Sequence, residues 1–350
     1  MHFKEGIGIA LISTMEIKEG PQHIIVVGTS AGGLIALNEL VSQLKADWDA
    51  AYFIVLHLSR KGISDFLVHQ LQQYTSLPCQ LGTEDQKIEK GNIYIAMPNF
   101  HLLVKKARVK LGHGPTENRW RPSIDVLFRS AAAAYDSHVT GIILTGMLDD
   151  GTSGMWAIKR TGGTLIVQDP NEAEYPDMPL SVLNRMEADH CISLAEMGSV
   201  LDKIIHTKEF ISDPIPADIL AEAAIAERMT SGIDVVQPLG NNSVYTCPDC
   251  GGVLFNVKDG KTDRYRCHTG HTYTEKDLEV KQAENLEAAL WVALRMMEER
   301  KNLIKKLEDQ TRGKGFSRFA NDYKEKFEEL QFHIDQIKEL LFVTQKNDNT

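Results

Sequence analysis

The chain has 350 residues, and its 38 basic and 48 acidic residues leave a net charge of −10. This length exceeds one typical domain, so we expect one large core with a smaller appendage. The negative charge argues against nucleic acid or an anionic membrane as a partner, and no apolar run approaches the roughly 20 residues of a membrane-spanning helix, which argues against membrane insertion.

Residues 1–21 are expected to form an extension ahead of the first domain. The apolar run Ile7–Ile12 is short, is preceded only by Lys4 balanced by Glu5, and lacks a small-residue cleavage site, so we predict no signal peptide. Three of the five cysteines cluster after residue 245. This usage is typical of a metal site in a reducing compartment, so we expect a cytoplasmic protein.

Between residues 22 and 210, short apolar runs alternate with amphipathic stretches, which indicates βαβ units. The predicted fold class is α/β, with a mostly parallel, doubly wound, Rossmann-like sheet. His101–Lys110 alternates apolar and charged residues and predicts a hairpin. Strands are predicted at 23–28, 51–57, 78–82, 92–96, 139–145, 163–168 and 190–193, and helices near 32–45, 64–74, 123–136, 152–161, 179–187 and 194–207.

The first predicted strand runs into Gly28-Thr29-Ser30-Ala31-Gly32, which matches the G-x-S-x-G pattern of a nucleophile turn. Such a turn lifts a serine hydroxyl clear of the sheet, and the N–H groups of the following helix can stabilise an oxyanion. The alternatives are a turn that binds phosphate or another anion and a glycine-rich turn that serves packing alone. A G-x-G-x-x-G pattern and a P-loop lysine are both missing, so we favour a serine hydrolase.

A serine nucleophile needs a general base, and His57 is the candidate. It ends the next predicted parallel strand, and α/β sheets build their sites at the carboxyl ends of such strands. The alternative is a solvated loop histidine without a catalytic role. The position of Ser30 at the same edge favours the base.

The third member of a triad is a carboxylate that orients the imidazole. Thr145–Gly151 follows another predicted strand and contains Asp149 and Asp150, either of which suits the role. The alternative for one of them is N-capping of the helix predicted near Thr152. The order Ser, His, Asp differs from the Ser, Asp, His order of α/β-hydrolases and therefore implies a different fold lineage.

Residues 211–244 are predicted to be a linker, and 245–277 a small zinc-ribbon-like unit that is too short to bury its own core. Cys247 and Cys250 form a C-x-x-C knuckle, and a Cys/His cluster follows at Cys267. This spacing predicts a closed, structural Zn²⁺ site with His271 as the fourth ligand and His268 as the competitor. The alternative is a redox dithiol, but thiol exchange does not explain the second Cys/His pair. Arg264 to Arg266 suggest nucleic-acid contact, which the net charge opposes.

The segment 278–343 is predicted to be helical and 344–350 a tail. Two apolar stripes recur at helical spacing, and Gly313 and Gly315 separate them. We expect either an antiparallel helical hairpin or a coiled-coil surface for a partner, and favour the hairpin. The first stripe is Leu286, Ala289, Ala293, Met296, Leu303 and Leu307, and the second is Tyr323, Phe327, Leu330, Ile334, Ile337 and Leu341.

Residues 22–210 together resemble the catalytic domain of the chemotaxis-receptor protein-glutamate methylesterases, the CheB type. The order and spacing of several separate motifs carry this resemblance. They are the Ser30 turn, His57 at its strand end, Gly91–Pro98, Arg121–Phe128, Thr145–Gly151, Gln168–Pro170 and Met178-Pro179.

The resemblance implies Ser30 as nucleophile, His57 as base and Asp150, directly before Gly151, as the orienting acid. It implies the backbone N–H groups of Ala31 and Met147 as oxyanion donors. The implied reaction demethylates glutamate γ-methyl esters on the cytoplasmic helices of chemoreceptors and releases methanol, with glutamine deamidation as a second activity. No cofactor is implied for catalysis.

Because the first predicted strand begins at residue 23, we expect a stand-alone form without the family's N-terminal receiver domain. Such a chain is either constitutively active, regulated by its C-terminal part, or specialised for a system other than chemotaxis. We expect the C-terminal helices to contact other chemosensory proteins. Two competing functions remain. One is a non-catalytic scaffold that binds a receptor or kinase, and the other is an esterase or amidase with an unrelated substrate.

Overall fold

The computed structural model describes residues 20–57, 64–207, 210, 214–228, 236–259 and 262–347. They form two compact units, which meet in sequence between Thr274 and Glu275. The predicted N-terminal extension, 1–21, lies almost entirely outside the described residues, as do parts of the predicted linker and the end of the predicted tail.

A seven-stranded sheet forms the centre of the first unit. Every neighbouring pair of its strands is parallel, in the spatial order β3-β4-β2-β1-β7-β8-β9, and β5 and β6 form a separate antiparallel hairpin. The α/β prediction is therefore confirmed. The strands are β1 (His23–Thr29), β2 (Ala50–Leu56), β3 (Cys79–Leu81), β4 (Ile93–Ile95), β5 (His101–Lys105), β6 (Arg108–Gly112), β7 (Val139–Ile143), β8 (Thr164–Gln168) and β9 (His190–Ile192).

Helices cover both faces of this sheet. Every residue of β1 and β2 is buried, because side chains on both faces meet helices, and this explains why these strands are continuous apolar runs. One hydrophobic core holds α1, α2 and α6, and the other holds α3, α4 and α5. The helices are α1 (Gly33–Ser42), α2 (Ser64–Gln72), α3 (Ile124–Tyr135), α4 (Thr152–Arg160), α5 (Asp177–Arg185), α6 (Leu194–Thr207) and α7 (Ala217–Arg228).

The helix α7 lies within the predicted linker but packs against the first unit. Ile219 joins the core beneath α3, and Ile225 packs against Val236 and Phe255. These apolar side chains recur at helical spacing, which gives α7 a face to bury. The described part of the segment 211–244 is therefore largely packed structure.

A four-stranded antiparallel sheet completes the first unit. Its strands, in spatial and sequence order, are β10 (Asn241–Thr246), β11 (Val253–Asp259), β12 (Thr262–Cys267) and β13 (Thr272–Thr274). We call residues 241–274 the cysteine module. Its Phe255 packs on Ile225 of α7, so this short sheet borrows part of its core from the preceding helix.

The second unit is an antiparallel pair of long helices, α8 (Glu275–Gly313) and α9 (Ser317–Asn347). Lys301 Nζ lies 2.9 Å from Gln331 Oε1, and Lys338 Nζ lies 3.0 Å from Glu298 Oε1, so the chain direction reverses between the helices. The predicted hairpin is confirmed. Among the described residues, no helix is both long enough and apolar enough to cross a membrane.

The apolar stripe predicted on α9 faces α8, but the stripe predicted on α8 is wrong by about one position. Ile334 and Leu341 are buried against Leu294, whereas Leu286 and Met296 are 61% and 59% exposed. The reason is that α8 carries two adjacent apolar columns, and their spacing alone does not show which one meets the partner helix.

Candidate active site

The carboxyl ends of β1, β2 and β7 meet at one edge of the sheet. β1 pairs with β2 on one side and with β7 on the other, which is the point where the strand order reverses. Thr29 lies opposite Leu56, so the next residues along the two strands, Ser30 and His57, follow side by side. Ser30 N donates to the Thr145 carbonyl oxygen at 3.1 Å. Sites of open α/β sheets lie at such a reversal point.

Hydrogen bonds from the residue before Ser30 and from the start of the following helix hold the Ser30 turn in place. Thr29 Oγ1 donates to the Thr145 carbonyl at 2.7 Å, and Gly33 N donates to the Ser30 carbonyl at 3.0 Å. Gly32 has φ +73°, a conformation that glycine adopts without strain, and α1 begins at the next residue. Ser30 is half-buried and lies just ahead of the α1 N-terminus.

His57 is buried and contacts Asp150 through a ring nitrogen and Trp120 through a ring face. Its Nε2 lies 3.0 Å from Asp150 Oδ2. Its ring stacks on the half-buried Trp120, with centroids 4.0 Å apart and planes 8° from parallel. Within the described residues, the other ring nitrogen, Nδ1, has no hydrogen-bond partner. The imidazole is thus placed by its 3.0 Å contact with Asp150 and by its stacking on Trp120.

Asp150 binds the N-terminus of α3 as well as His57. Its Oδ2 accepts from Ile124 N at 2.7 Å, and its Oδ1 accepts from Ser123 Oγ at 3.0 Å. Burial by itself would raise the pKa of Asp150, but His57, the Ile124 N–H and the Ser123 hydroxyl outweigh it and lower that pKa. The carboxyl is therefore held as a carboxylate.

The neighbouring Asp149 points elsewhere. Its Oδ2 lies 3.1 Å from Arg185 Nη2, on α5. The helix-capping alternative is also resolved, because Gly151 occupies the N-cap of α4 and the Asp150 side chain lies at the start of α3 instead. Of the two aspartates, Asp150 is the one beside His57.

Three residues of this site carry no role in the predictions from sequence: Asn118, Trp120 and Asp125. Asn118 Nδ2 donates to Asp125 Oδ2 at 2.6 Å and to Asp150 Oδ1 at 3.2 Å. Burial and then the charge of Asp150 raise the pKa of Asp125 well above its ordinary range. Asp125 could have been singled out in the sequence, because it is an acidic residue in the otherwise apolar first turn of α3.

The two residues predicted to donate to an oxyanion flank Ser30. Ala31 follows it directly, and Met147 follows Gly146, where an added Cβ would lie 2.9 Å from Ser30 Cβ. Gly146 is itself pinned, because its N–H donates to Tyr175 at 2.9 Å. Within the described part of the chain, neither the Ala31 nor the Met147 N–H donates a hydrogen bond.

A second cluster of candidate ligands lies in the cysteine module. One ligand atom from each of Cys247, Cys250, Cys267 and His271 lies within 4.8 Å of the others. A tetrahedral Zn²⁺ sets two sulfur ligands about 3.8 Å apart, and a sulfur and a nitrogen about 3.5 Å apart. The observed Cys250–Cys267 Sγ distance is 3.7 Å, and Cys267 Sγ lies 3.5 Å from His271 Nδ1. The donor set fits zinc.

Two turns present these ligands. Gly251, with φ +73°, donates to the Cys247 carbonyl at 2.8 Å, and Gly270, with φ +113°, donates to the Cys267 carbonyl at 3.0 Å. His268 lies outside the ligand cluster, against Gly252. Between the two predicted alternatives for the fourth position, the geometry favours His271.

Sequence comparison matches the chain to one family of proteins. A family model described as CheB methylesterase matches residues 25–201, just over half of the chain. A Leptospira interrogans protein, provisionally named protein-glutamate methylesterase/protein-glutamine glutaminase, is 33% identical over 181 residues, which cover 51% of this chain and 93% of that protein. Proteins named protein-glutamate methylesterase/protein-glutamine glutaminase 2 from Methanosarcina acetivorans and Caulobacter vibrioides are 33% and 34% identical. The chain spans 55% and 53% of those two proteins, about half of their length.

Structure comparison gives the same result. The crystal structure of the Thermotoga maritima CheB methylesterase catalytic domain matches with a TM-score of 0.50 and 29% sequence identity. The match covers 52% of this chain and 98% of that one. Together with the family model, it confirms the resemblance predicted from the motifs: the chain belongs to the CheB methylesterase family.

Proposed function

We propose that this chain hydrolyses glutamate γ-methyl esters on chemoreceptor helices, with Ser30, His57 and Asp150 as its catalytic triad. The observation that carries the proposal is the buried His57–Asp150 pair, 3.0 Å apart, next to the Ser30 turn at the sheet edge. The family and the names of its relatives support the reaction class.

In the proposed acylation step, Ser30 Oγ attacks the γ-carbonyl carbon of the ester, and its proton passes to His57 Nδ1. Asp150 stabilises the imidazolium that forms. The negative oxygen of the tetrahedral intermediate accepts from the N–H groups of Ala31 and Met147. The intermediate collapses, the carbon–oxygen bond to the methoxy group breaks, and His57 returns the proton so that methanol leaves.

In the proposed deacylation step, water attacks the glutamyl–Ser30 ester while His57 takes the water proton. Collapse of the second intermediate returns that proton to Ser30 and releases a glutamate side chain. Deamidation of glutamine follows the same course, except that ammonia replaces methanol as the leaving group. Both reactions consume one water and need no cofactor.

We propose that the cysteine module holds a structural Zn²⁺ through Cys247, Cys250, Cys267 and His271. Four protein ligands complete a tetrahedral site and leave no position for substrate, so the metal would stabilise the fold and take no part in hydrolysis. The proposed location is the cytoplasm, where the methylated receptor helices lie and where thiols remain reduced. The long helices α8 and α9 would contact other chemosensory proteins.

Methanol release from methylated receptor helices tests the proposed function. The wild-type chain and Ser199→Ala, which changes an exposed serine on α6, are expected to release methanol at equal rates. Ser30→Ala is expected to reduce the rate by at least about 10³-fold. No release by the wild-type chain would exclude the receptor methylesterase and leave the scaffold and the esterase with an unrelated substrate. Equal release by Ser30→Ala would refute the assigned nucleophile.

A further inference from the structure

A tight turn, Glu117–Trp120, lies between the His57–Asp150 pair and the cysteine module and contacts both. We call it the Trp120 turn. Glu117 and Trp120 exchange backbone hydrogen bonds of 3.2 and 3.0 Å across it. Its central residues, Asn118 and Arg119, have φ +48° and +68°, although neither is glycine. Positive φ at two successive non-glycine residues costs free energy, so contacts outside the turn must hold it in this conformation.

One side of the Trp120 turn contacts the proposed triad. Trp120 stacks on the His57 ring with centroids 4.0 Å apart, and Asn118 Nδ2 donates to Asp150 Oδ1 at 3.2 Å. The turn therefore fixes both the plane of the proposed base and the position of the acid that orients it. A displaced turn would leave His57 without the surface that defines its ring plane.

The other side of the turn contacts the cysteine module. Asn118 N donates to the Thr272 carbonyl at 2.9 Å, and Glu117 forms a parallel bridge with Thr272. Arg266 Nη2 donates to Glu117 Oε1 at 2.6 Å, and the Arg266 side chain is fully buried. The module thus supplies both a backbone and a charged contact to the turn.

These contacts belong to a buried ionic cluster of three arginines and two glutamates: Glu117, Arg129, Glu222, Arg264 and Arg266. Arg129 on α3 binds the second oxygen of Glu117 at 3.1 Å. Removing one partner from a buried ion pair leaves the other charge uncompensated, which is strongly destabilising. The cluster therefore gives the turn a single defined position. Arg264 and Arg266 are buried here, so the nucleic-acid contact suggested for them has no exposed guanidinium to act through.

The two module residues that hold the turn adjoin the candidate metal ligands. Arg266 directly precedes Cys267, and Thr272 directly follows His271. The Cys267–His271 backbone is closed by a 3.0 Å hydrogen bond, which sets the spacing between the two contacts. The conformation of the Cys267–His271 segment therefore determines where Arg266 and Thr272 meet the Trp120 turn.

From this geometry we infer that Arg266 is a positioning residue for the esterase: it acts through Glu117 and the Trp120 turn to hold the His57 ring, so that the cysteine module completes the active site. This inference rests on the proposed function. The effect of Arg266 on the stack of Trp120 and His57 does not depend on which substrate the enzyme takes.

The test compares Arg266→Met, Arg266→Lys and the control Arg160→Met in the full-length chain. Arg160 pairs with Asp218 across a partly exposed contact, and neither residue belongs to the Trp120 turn or to the ionic cluster, so its variant removes an ion pair of the first unit and leaves the Glu117–Arg266 pair in place. Arg266→Met is expected to lower kcat for methanol release about 10- to 100-fold with KM changed less than about threefold, because misplacing a catalytic group costs this much. Arg266→Lys is expected to recover part of the loss, and Arg160→Met to match the wild-type chain.

Tryptophan fluorescence supplies a readout that does not depend on the substrate. The emission of Trp120, taken as the difference between each chain and its Trp120→Phe variant, is expected to shift toward that of a solvated indole in Arg266→Met, to shift less in Arg266→Lys and to stay unchanged in Arg160→Met. Unchanged emission together with kcat within twofold of the wild-type value would overturn the inference. If the wild-type chain releases no methanol, the proposed function fails, and the emission alone decides the coupling.

Arg266→Met leaves Glu117 charged and buried, so this variant can fail to fold. The double variant Glu117→Gln/Arg266→Met removes both charges and keeps the inference testable. It is expected to fold, to show the shifted Trp120 emission and to lose kcat as above. A folded double variant with wild-type kcat and emission would refute the positioning role of Arg266.

Discussion

Asp150 contacts both the proposed catalytic base and the N-terminus of α3. It accepts hydrogen bonds at the start of α3 from Ile124 N and Ser123 Oγ while it faces His57. An anion at a helix N-terminus satisfies free N–H groups and interacts favourably with the helix dipole. We therefore expect that a change at this residue affects both activity and stability.

Asp150→Asn is expected to lower kcat for methanol release by about 10²- to 10⁴-fold, because the neutral amide neither orients nor charge-stabilises the imidazole. It is also expected to lower the free energy of unfolding by about 1–3 kcal/mol, since the α3 N–H groups lose a charged acceptor. Methanol assays and urea unfolding measure the two effects. The control is Asp149→Asn, which loses the Arg185 contact and should keep its activity within a few fold. Equal losses in the two variants would contradict the assignment.

Among the individual site residues, the sequence predicts those that follow the ends of strands and misses those that lie in a turn. Ser30, His57 and the Asp149/Asp150 pair each follow an apolar strand, and parallel strands bring their carboxyl ends to one edge. Trp120 and Asn118 reach the site from a turn whose position depends on contacts with a distant segment, so no local pattern predicts them.

The ionic cluster links four secondary-structure elements of the first unit: α3, α7, β12 and the Trp120 turn. Burial by itself would raise the pKa of Glu117, but Arg266, Arg129 and Arg264 outweigh it and lower that pKa to about 2. The same arginines lower the pKa of Glu222. A carboxyl with a lower pKa in the folded than in the unfolded state binds fewer protons when folded, so its contribution to stability is complete above the unfolded value and decreases as the pH falls.

We expect the stability of the first unit to fall as the pH decreases from about 4.5, the ordinary value for glutamate, toward 2. Glu117→Gln should be less stable than the wild-type chain at pH 7 and should show a smaller further loss over this range. Urea midpoints at pH 6, 4.5 and 3.5 measure the difference, with Glu39→Gln, an exposed change on α1, as the control. Parallel pH curves for wild type and Glu117→Gln would show that the cluster does not supply the acid sensitivity.

The helical hairpin shows how far periodicity predicts packing. The spacing of apolar residues correctly predicts both helices and the face of α9, because a single stripe leaves one choice. On α8 the apolar residues fill two neighbouring columns, so the contact face depends on the partner helix, and the structure selects the column of Leu290, Leu294 and Met297.

Leu294→Ala and Leu286→Ala test this register. Leu294 is 7% exposed and Leu286 is 61% exposed, so the first variant removes buried apolar volume and the second does not. We expect Leu294→Ala to lower the free energy of unfolding of the hairpin by about 2–3 kcal/mol and Leu286→Ala to change it by less than about 0.5 kcal/mol. Circular dichroism during urea unfolding of the full chain measures both. A larger loss for Leu286→Ala would restore the register predicted from the sequence.

At the scale of the whole first unit, a Rossmann-like domain and a cysteine module share α7 and the ionic cluster. The sequence predicts that the module is too short to fold around its own core, but not which surface it uses, because that surface depends on buried charges paired across 149 residues of chain between Glu117 and Arg266. Metal binding and catalytic geometry are expected to be linked through this shared surface.

Cys247→Ser tests that link. The variant is expected to lose the zinc that metal analysis should find at one equivalent in the wild-type chain, because three ligands hold Zn²⁺ far more weakly than four. It should also show the shifted Trp120 emission described above. The control is Cys191→Ser, which changes an exposed cysteine outside the cluster and should keep both its zinc and its emission. Zinc retained at one equivalent in Cys247→Ser would refute the assigned ligand set.

Ser30 is the proposed nucleophile of a hydrolase that acts on methylated receptor helices. Treatment of the full chain with a fluorophosphonate, followed by peptide mass mapping, tests it most directly, because this reagent traps serines activated by a neighbouring base. We predict one adduct, on the peptide that contains Ser30, and protection by a methylated receptor helix. An adduct on another residue, or continued methanol release after Ser30 is fully labelled, would contradict the claim.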